Sequence, residues 1–198
     1  HNIPTPRWVS VSELSAESSK LSSDKFNIFE PQSTLFLKPE EDGSSIDVFK
    51  ISNEADLLQA IHDCTNNKRP FIFEECIDHR ELTVPILNGR CLPALEIITN
   101  ETFYNYDAKY VNEDTQLLSI NHSPQEKEIL ESLCLQTFEA LGCNGWARID
   151  LLQNSEGKFY ILEINTVPGM TSHSLFPSSA KSAGLDYKSL ISEIINAR

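Results

Sequence analysis

The strongest constraint on what this chain can fold into is the stretch GWARIDLLQNSEGKFYILEINT, residues 145–166. Two apolar runs flank Asn154-Ser155-Glu156-Gly157, a cluster of turn formers, and the pattern reads as a β-hairpin. Each run nevertheless carries polar groups where a core strand carries Val or Leu: Arg148 and Asp150 on the first, Glu163 and Asn165 on the second. Side chains alternate along a strand, so Arg148 and Asp150 share one face while Ala147, Ile149 and Leu151 share the other. On the return strand Glu163 and Asn165 share a face, with Leu162 and Ile164 opposite. Closing the turn around Asn154–Gly157 sets Leu152 against Phe159, and in that register all four polar side chains project from one face. Two carboxylates and an amide oxygen are hard ligands of the kind Mg²⁺ takes, and an Arg beside them is a fixed cation for a phosphate or a developing oxyanion. The alternative is a solvated face with a cross-strand Arg148–Glu163 pair. The hairpin alone leaves both open.

The chain has 198 residues, enough for one large or two small domains with a real core. Its formal net charge of −13 excludes a general nucleic-acid or anionic-membrane surface, so an anionic ligand has to be met by locally placed cations. No apolar run reaches the length of a membrane span, and no secretory signal opens the chain. The five cysteines Cys64, Cys76, Cys91, Cys134 and Cys143 form no CxxC-type cluster and read as reduced thiols of a cytoplasmic protein. The chain starts His1-Asn2-Ile3 and its one methionine is Met170, as expected of a piece of a longer protein.

The alternation of patterns predicts an α+β fold in two parts, 1–77 and 78–198. In the first, RWVSV (7–11), STLFLK (33–38), residues 46–51 and FIFEECI (71–77) read as strands. Residues 53–67 read as a helix with Leu57, Leu58 and Ile61 inward. In the second, ELTVPIL and RCLPALEII are strands joined at Asn88-Gly89. Residues 99–122 read as a long loop, of a kind that is usually functional. Ser123-Pro124-Gln125-Glu126 is a capping box opening a helix to about Leu141, with Ile129, Leu133 and Phe138 inward and Gly142 ending it. After the hairpin come a polar loop over 166–179 and a last helix from about Asp186.

Three further features bear on the hairpin. Lys38 ends an apolar strand just before Gly43-Ser44-Ser45, whose hydroxyls and N–H groups suit phosphate oxygens although no GxxxxGK[ST] motif is present. Tyr106-Asp107-Ala108-Lys109-Tyr110 sets a cation between aromatics in the long loop. Asn165 through Ser174 leaves the polar strand through a hydroxyl-rich Pro168-Gly169 turn.

In order along the chain, LFLKP…EDGSS, FIFEECI…RELTVPILNGRCLPALEI, FYNYDAKY, LGCNGWARIDLL and FYILEINTVPGMTSHSLFP resemble the ATP-grasp superfamily, and within it the D-alanine–D-alanine ligases. The resemblance implies an ATP-grasp fold, with 1–77 as the central lid and 78–198 as the C-terminal domain, and a further domain upstream. It implies that Lys38 contacts ATP phosphates under the loop of Gly43, Ser44 and Ser45. Glu74, Glu75 and Ile77 then line the adenine slot, and Glu81 holds the ribose. Lys109 reaches the γ-phosphate and Tyr110 links its loop to the closed site. Asp150, Glu163 and Asn165 match the ligands of two Mg²⁺ ions, for which Mn²⁺ is a substitute. Arg148 and the Gly169 N–H match the oxyanion stabilisers, and Ser174, with Lys109, matches the grip on the second substrate's carboxylate.

The implied activity joins two D-alanines through a D-alanyl phosphate for peptidoglycan precursor synthesis, in a bacterial cytoplasmic enzyme expected to be a homodimer at full length. Its expected partners are ATP and D-alanine, with no nucleic acid and no membrane. The Lys109 loop is of the kind found in the dipeptide-forming branch; ligation to D-lactate or D-serine is the rival activity, and a non-catalytic nucleotide-binding fragment the rival class. Asp47 and His79 depart from the pattern, both standing where the family often has glycine. Part of the family's substrate-binding machinery lies upstream, so the chain by itself is expected to bind Mg-ATP weakly and not to turn over.

Overall fold

The computed structural model describes residues 1–11, 34–41, 46–65, 69–99, 116–120 and 122–197. In chain order its elements are β1 (Trp8–Ser10), β2 (Leu35–Pro39), β3 (Phe49–Ile51), α1 (Glu54–Thr65), β4 (Phe71–Glu75), β5 (His79–Leu87), β6 (Arg90–Cys91), β7 (Leu95–Ile98), β8 (Gln116–Ser119), α2 (Pro124–Ala140), β9 (Trp146–Asn154), β10 (Phe159–Asn165), α3 (Leu175–Ser182) and α4 (Tyr187–Asn196). They gather into two units. One holds the described residues of His1–Thr5, Asp78–Ile98 and Thr115–Arg198, the other those of Pro6–Ile77 and Thr99–Asp114. Residues 12–27, whose polar, Ser-rich sequence reads as helix or loop, the Gly43–Ser45 loop and the 106–110 loop lie outside the described residues.

The Pro6–Ile77 unit is an antiparallel sheet in the order β1-β4-β2-β3. Period-2 alternation sends Leu35, Leu37, Phe71, Phe73 and Val9 to one face, where Ala60 and Leu57 of α1 cover them. Leu58, predicted inward, is 62% exposed: the apolar stripe of α1 runs through Leu57 and Ala60 instead. The strand predicted from Ile46 starts only at Phe49, because Ile46 and Asp47 form a turn. Asp47 has φ +56°, a left-handed backbone that glycine adopts most easily, and its carboxylate is held by Arg69.

The other unit is built on an antiparallel sheet in the order β10-β9-β5-β7-β8, with β6 paired to β5. One face carries Leu82, Val84, Ile86, Ala147, Ile149, Leu151, Phe159 and Ile161, packed against Leu130, Cys134 and Phe138 of α2. The start of α2 is the predicted capping box: Ser123 Oγ accepts from the Glu126 N–H, and Glu126 Oε2 accepts from the Ser123 N–H. Phe138 is buried as predicted and Leu133 packs partly against the core, but Ile129, predicted inward, is 52% exposed, whereas Leu130 is 1% exposed and with Cys134 carries the rest of the stripe. On the opposite face, Leu87, Leu92, Phe176, Ala180 and Leu190 form a smaller cluster with α3 and α4. Upstream of the sheet, the Ile161 N–H donates to the Pro4 carbonyl at 2.8 Å, laying the first residues along β10.

Two elements stand where loops were expected. β8 lies within 99–122 and pairs with β7, Leu95 opposite Ser119 and Ile98 opposite Gln116. α3 lies across the end of the 166–179 loop; its Pro177 is in the first turn, where a missing N–H costs no helical bond, and the buried Phe176 and Ala180 hold it down. RCLPALEII is broken at Leu92-Pro93-Ala94, with the Leu92 N–H turning back to the Pro85 carbonyl. His79, which stands where the family often has glycine, is exposed and is the first residue of β5, opposite Asn154. Cys76, Cys91, Cys134 and Cys143 are free thiols, and burial pushes Cys91 up to about 12.

The helix register has a direct check. Leu130→Ala is expected to cost about 2–5 kcal/mol by opening a core cavity, and Ile129→Ala less than about 0.5 kcal/mol. Equal losses in urea unfolding midpoints for the two variants would mean that α2 presents a different face.

Candidate functional site

A bulge decides which side chains meet on the hairpin. The turn closes one residue later than the pattern suggested: the Asn154 N–H donates to the Lys158 carbonyl, while Asn154 Oδ1 accepts from the N–H groups of Glu156 and Lys158. Phe159 therefore faces Gln153, not Leu152, and Ile161 faces Leu151. If regular alternation continued, Glu163 and Asn165 would follow Phe159 and Ile161 into the α2 core. The register instead shifts between Ile161 and Glu163, so that Glu163 faces Asp150, Ile164 faces Ile149 and Asn165 faces Arg148. Leu162 is the extra residue, half-buried, and the core position expected of it belongs to Ile161. The spacing of the apolar residues carried the signal: Phe159 to Ile161 is a step of two, Ile161 to Ile164 a step of three.

Beyond the bulge, Arg148, Asp150, Glu163 and Asn165 share the face away from α2. The ladder adds Thr83, directly opposite Asp150, and Glu81, opposite Leu152, from β5. Asp150 is 4% exposed and is the hub of the group. Its Oδ1 accepts from Arg148 Nε at 2.8 Å and from Thr83 Oγ1 at 2.7 Å. Its Oδ2 accepts from Arg148 Nη2 at 2.6 Å and from Asn165 Nδ2 at 3.0 Å. Asn165 Nδ2 also donates to Glu163 Oε1 at 3.1 Å. Arg148 thus pairs with its own-strand neighbour and not across to Glu163, contrary to the solvated-face alternative. Thr83, fully buried, was missed by the sequence reading, which saw only one residue of an apolar strand.

One amide N–H₂ group sits between a carboxylate oxygen of Asp150 and one of Glu163, so the two acids already converge on a single electropositive group. A half-turn of the Asn165 amide presents Oδ1 in its place. Among the described residues no three His, Cys, Asp or Glu side chains come together; on this face the donors that could hold a cation are the two acids and the amide. Hard oxygen donors in that number fit Mg²⁺, which draws its remaining ligands from phosphate and water.

The Pro168-Gly169 turn leads from β10 to α3. Ser174 caps α3 without bonding its N–H groups; its Oγ accepts from the Thr171 N–H at 3.0 Å and lies 2.8 Å from Thr171 Oγ1. A Cβ on Gly169 would stand 3.0 Å from Ser174 Oγ, so glycine permits the close approach. In the Pro6–Ile77 unit, Lys38 Nζ lies 2.6 Å from Glu74 Oε2, and Arg7 grips Glu75 through Nε at 2.9 Å and Nη2 at 2.7 Å. Ile77 is half-buried. Gly43, Ser44, Ser45, Lys109 and Tyr110 lie outside the described residues.

The interlock at Asp150 has an energetic signature. Asp150→Ala leaves the Arg148 guanidinium, its side chain 12% exposed, without its bidentate partner, for an expected loss of about 3–5 kcal/mol. Replacing both, Arg148→Met with Asp150→Ala, is expected to recover most of it. Additive losses in chemical denaturation would contradict the coupling.

The D-ala D-ala ligase C-terminus family profile matches residues 1–196. A D-alanine–D-alanine ligase of Saccharophagus degradans is 44% identical over 161 residues, 81% of this chain and 51% of that protein. One of Stutzerimonas stutzeri is 41% identical over 163 residues, 82% of this chain and 52% of that protein. The chain spans about half the length of these relatives. Among solved structures, a D-alanine–D-alanine ligase of Bacillus anthracis superposes with a TM-score of 0.80 at 31% identity, covering 98% of this chain and 62% of that one. A second structure of the Bacillus anthracis enzyme, complexed with ATP, gives 0.78 at 27%, covering 98% and 60%. The α+β architecture is the ATP-grasp fold that the sequence resemblance implied. With its profile matched over 1–196 and the polar hairpin face intact, the chain belongs to the D-ala D-ala ligase C-terminus family.

Proposed function

We propose that this chain is the ATP- and metal-binding portion of a D-alanine–D-alanine ligase acting in peptidoglycan precursor synthesis. The observation that carries the reading is the Asp150 cluster: two acids, an amide and a bidentate arginine on one face of a sheet in a member of this family.

The reaction has two displacements. The carboxylate oxygen of the first D-alanine attacks the γ-phosphorus of ATP, the bond to the β-phosphate oxygen breaks, and ADP leaves an acyl phosphate. The amine of the second D-alanine attacks the acyl carbon. The tetrahedral intermediate loses a proton from nitrogen and collapses, expelling phosphate. Neither step asks for covalent help from protein; both ask for charge compensation and alignment. Asp150, Glu163 and Asn165 would hold Mg²⁺, two ions by the family pattern and Mn²⁺ as a substitute, which when bound neutralises phosphate oxygens. Arg148 presents a planar, always-charged fork to the developing oxyanion, with the Gly169 N–H as its companion donor. Ser174 takes the second substrate's carboxylate at the N-terminus of α3, where the helix dipole favours an anion.

Within residues 1–77, which we assign as the lid, Lys38 serves ATP phosphates and Glu74, Glu75 and Ile77 the adenine. Glu81, on the Asp150 face of the other unit, serves the ribose. The same reading gives the phosphate-covering role to Gly43, Ser44 and Ser45, and γ-phosphate and loop closure to Lys109 and Tyr110. A homodimer and a cytoplasmic location belong to this proposal for the full-length protein. Among the described residues no helix is long and apolar enough to cross a membrane.

The decisive substitution is Glu163→Gln in the full-length protein, which removes a carboxylate while keeping its shape. With D-alanine and Mg-ATP, phosphate release is expected to fall by at least about 100-fold, the scale of losing one preorganised electrostatic group. Unchanged dipeptide yield would dismiss the metal assignment. Chromatography of products formed from D-alanine offered with D-lactate or D-serine reads the second substrate, and a mixed product in excess of the D-alanine dipeptide would reassign the activity. The 198-residue chain alone is expected to show weak Mg-ATP heats in titration calorimetry and no D-alanine-dependent phosphate release.

A further inference from the structure

Thr83 stands in the middle of β5, fully buried and directly opposite Asp150 in the ladder. We propose that Thr83 is a positioning residue for Asp150, setting the carboxylate in the orientation that receives the divalent cation; the inference rests on reading Asp150 as a metal ligand. A hydroxyl at a fully buried position is costly unless bonded, and valine would fill the same volume without that cost. The neighbours Leu82, Val84 and Ile86 all take the apolar option on the other face. The hydroxyl of Thr83 has a defined use: it donates to Asp150 Oδ1 at 2.7 Å.

The four donors on Asp150 are not equivalent. Arg148 and Asn165 are half-buried, lie on the hairpin itself and are themselves assigned to other partners when substrate and cation are present. A cation approaching Asp150 competes with their N–H groups for the same lone pairs, and the guanidinium repels it. Thr83 comes from the neighbouring strand, is neutral, and takes one lone pair of one oxygen. Its β-branched side chain has little χ1 freedom, and the β5–β9 register fixes where its hydroxyl points. Thr83 is therefore the donor that can stay on Asp150 while the others exchange, and it holds the carboxylate plane against rotation. Outer-shell hydrogen bonds of this kind, when removed, typically weaken metal affinity by about 10–100-fold.

The test uses the full-length protein with ATP present and reads Mn²⁺ affinity by electron paramagnetic resonance, together with the thermal midpoint. Thr83→Val is expected to weaken Mn²⁺ binding by about 10-fold or more, and Thr83→Ser, which restores the hydroxyl, to stay within about twofold of the parent. A role in packing alone would move the thermal midpoint and leave the affinity in place. Asp150→Asn is the internal control. If Asp150→Asn loses Mn²⁺ affinity and Thr83→Val keeps it, the positioning role is overturned and the metal reading stands. If Asp150→Asn binds Mn²⁺ as tightly as the parent, both fall. Should Thr83→Val fail to fold, Thr83→Ala read against Thr83→Ser answers the question; equal affinities in that pair overturn the proposal.

Discussion

A carboxylate held at 4% exposure has to be satisfied where it sits, and in this protein Asp150 is satisfied from three strands at once. Thr83 reaches it from β5, Arg148 from its own β9 and Asn165 from β10. An ionised side chain buried without such partners costs several kcal/mol, comparable to the whole stability of a small domain. The sheet is therefore pinned at this point. A slip of one residue between β5 and β9 would put Asp150 into the apolar layer under α2 and Ile149 or Leu151 onto the polar face, losing both arrangements together. Stability of the sheet and assembly of the candidate site are the same requirement on register.

The bulge at Leu162 is what makes that requirement compatible with the chain's own apolar pattern. Before it, Phe159 and Ile161 must face α2; after it, Glu163 and Asn165 must not. A strand of strict alternation cannot do both, because residues two apart share a face. One extra residue resolves the conflict and re-aims two polar side chains at a cost confined to one ladder position.

Charge is handled in the same local way in each unit. The chain carries a net −13, and two of the cations to which we assign phosphate and oxyanion roles are each held by a carboxylate: Lys38 by Glu74, Arg148 by Asp150. A paired lysine or arginine keeps a fixed position and is not left as an uncompensated charge in a partly buried place. In the proposed function, an arriving polyanion with its cation would exchange partners with an existing pair. This suits phosphoryl transfer, in which positioned charge does most of the catalytic work.

The class of the fold, the helix starting at the Ser123 capping box, the turn formers closing the hairpin and the four polar residues on its strands are legible in the residues alone. These are local decisions, made by side-chain period, caps and turn chemistry, and local physics suffices for them. The rest came from packing between elements. The inward face of α2 passed from Ile129 to Leu130, since two adjacent apolar residues satisfy a helical period about equally and only the facing sheet chooses. α3 formed through a Pro-containing, Ser-rich segment because burying Phe176 and Ala180 outweighs weak helix propensity. Thr83 became part of the site only when β5 lay beside β9, and no spacing within ELTVPIL announces a partner 67 residues away. The apolar step of three between Ile161 and Ile164 marked where the bulge would fall; its effect on Glu163 depended on which face of the finished sheet α2 covers.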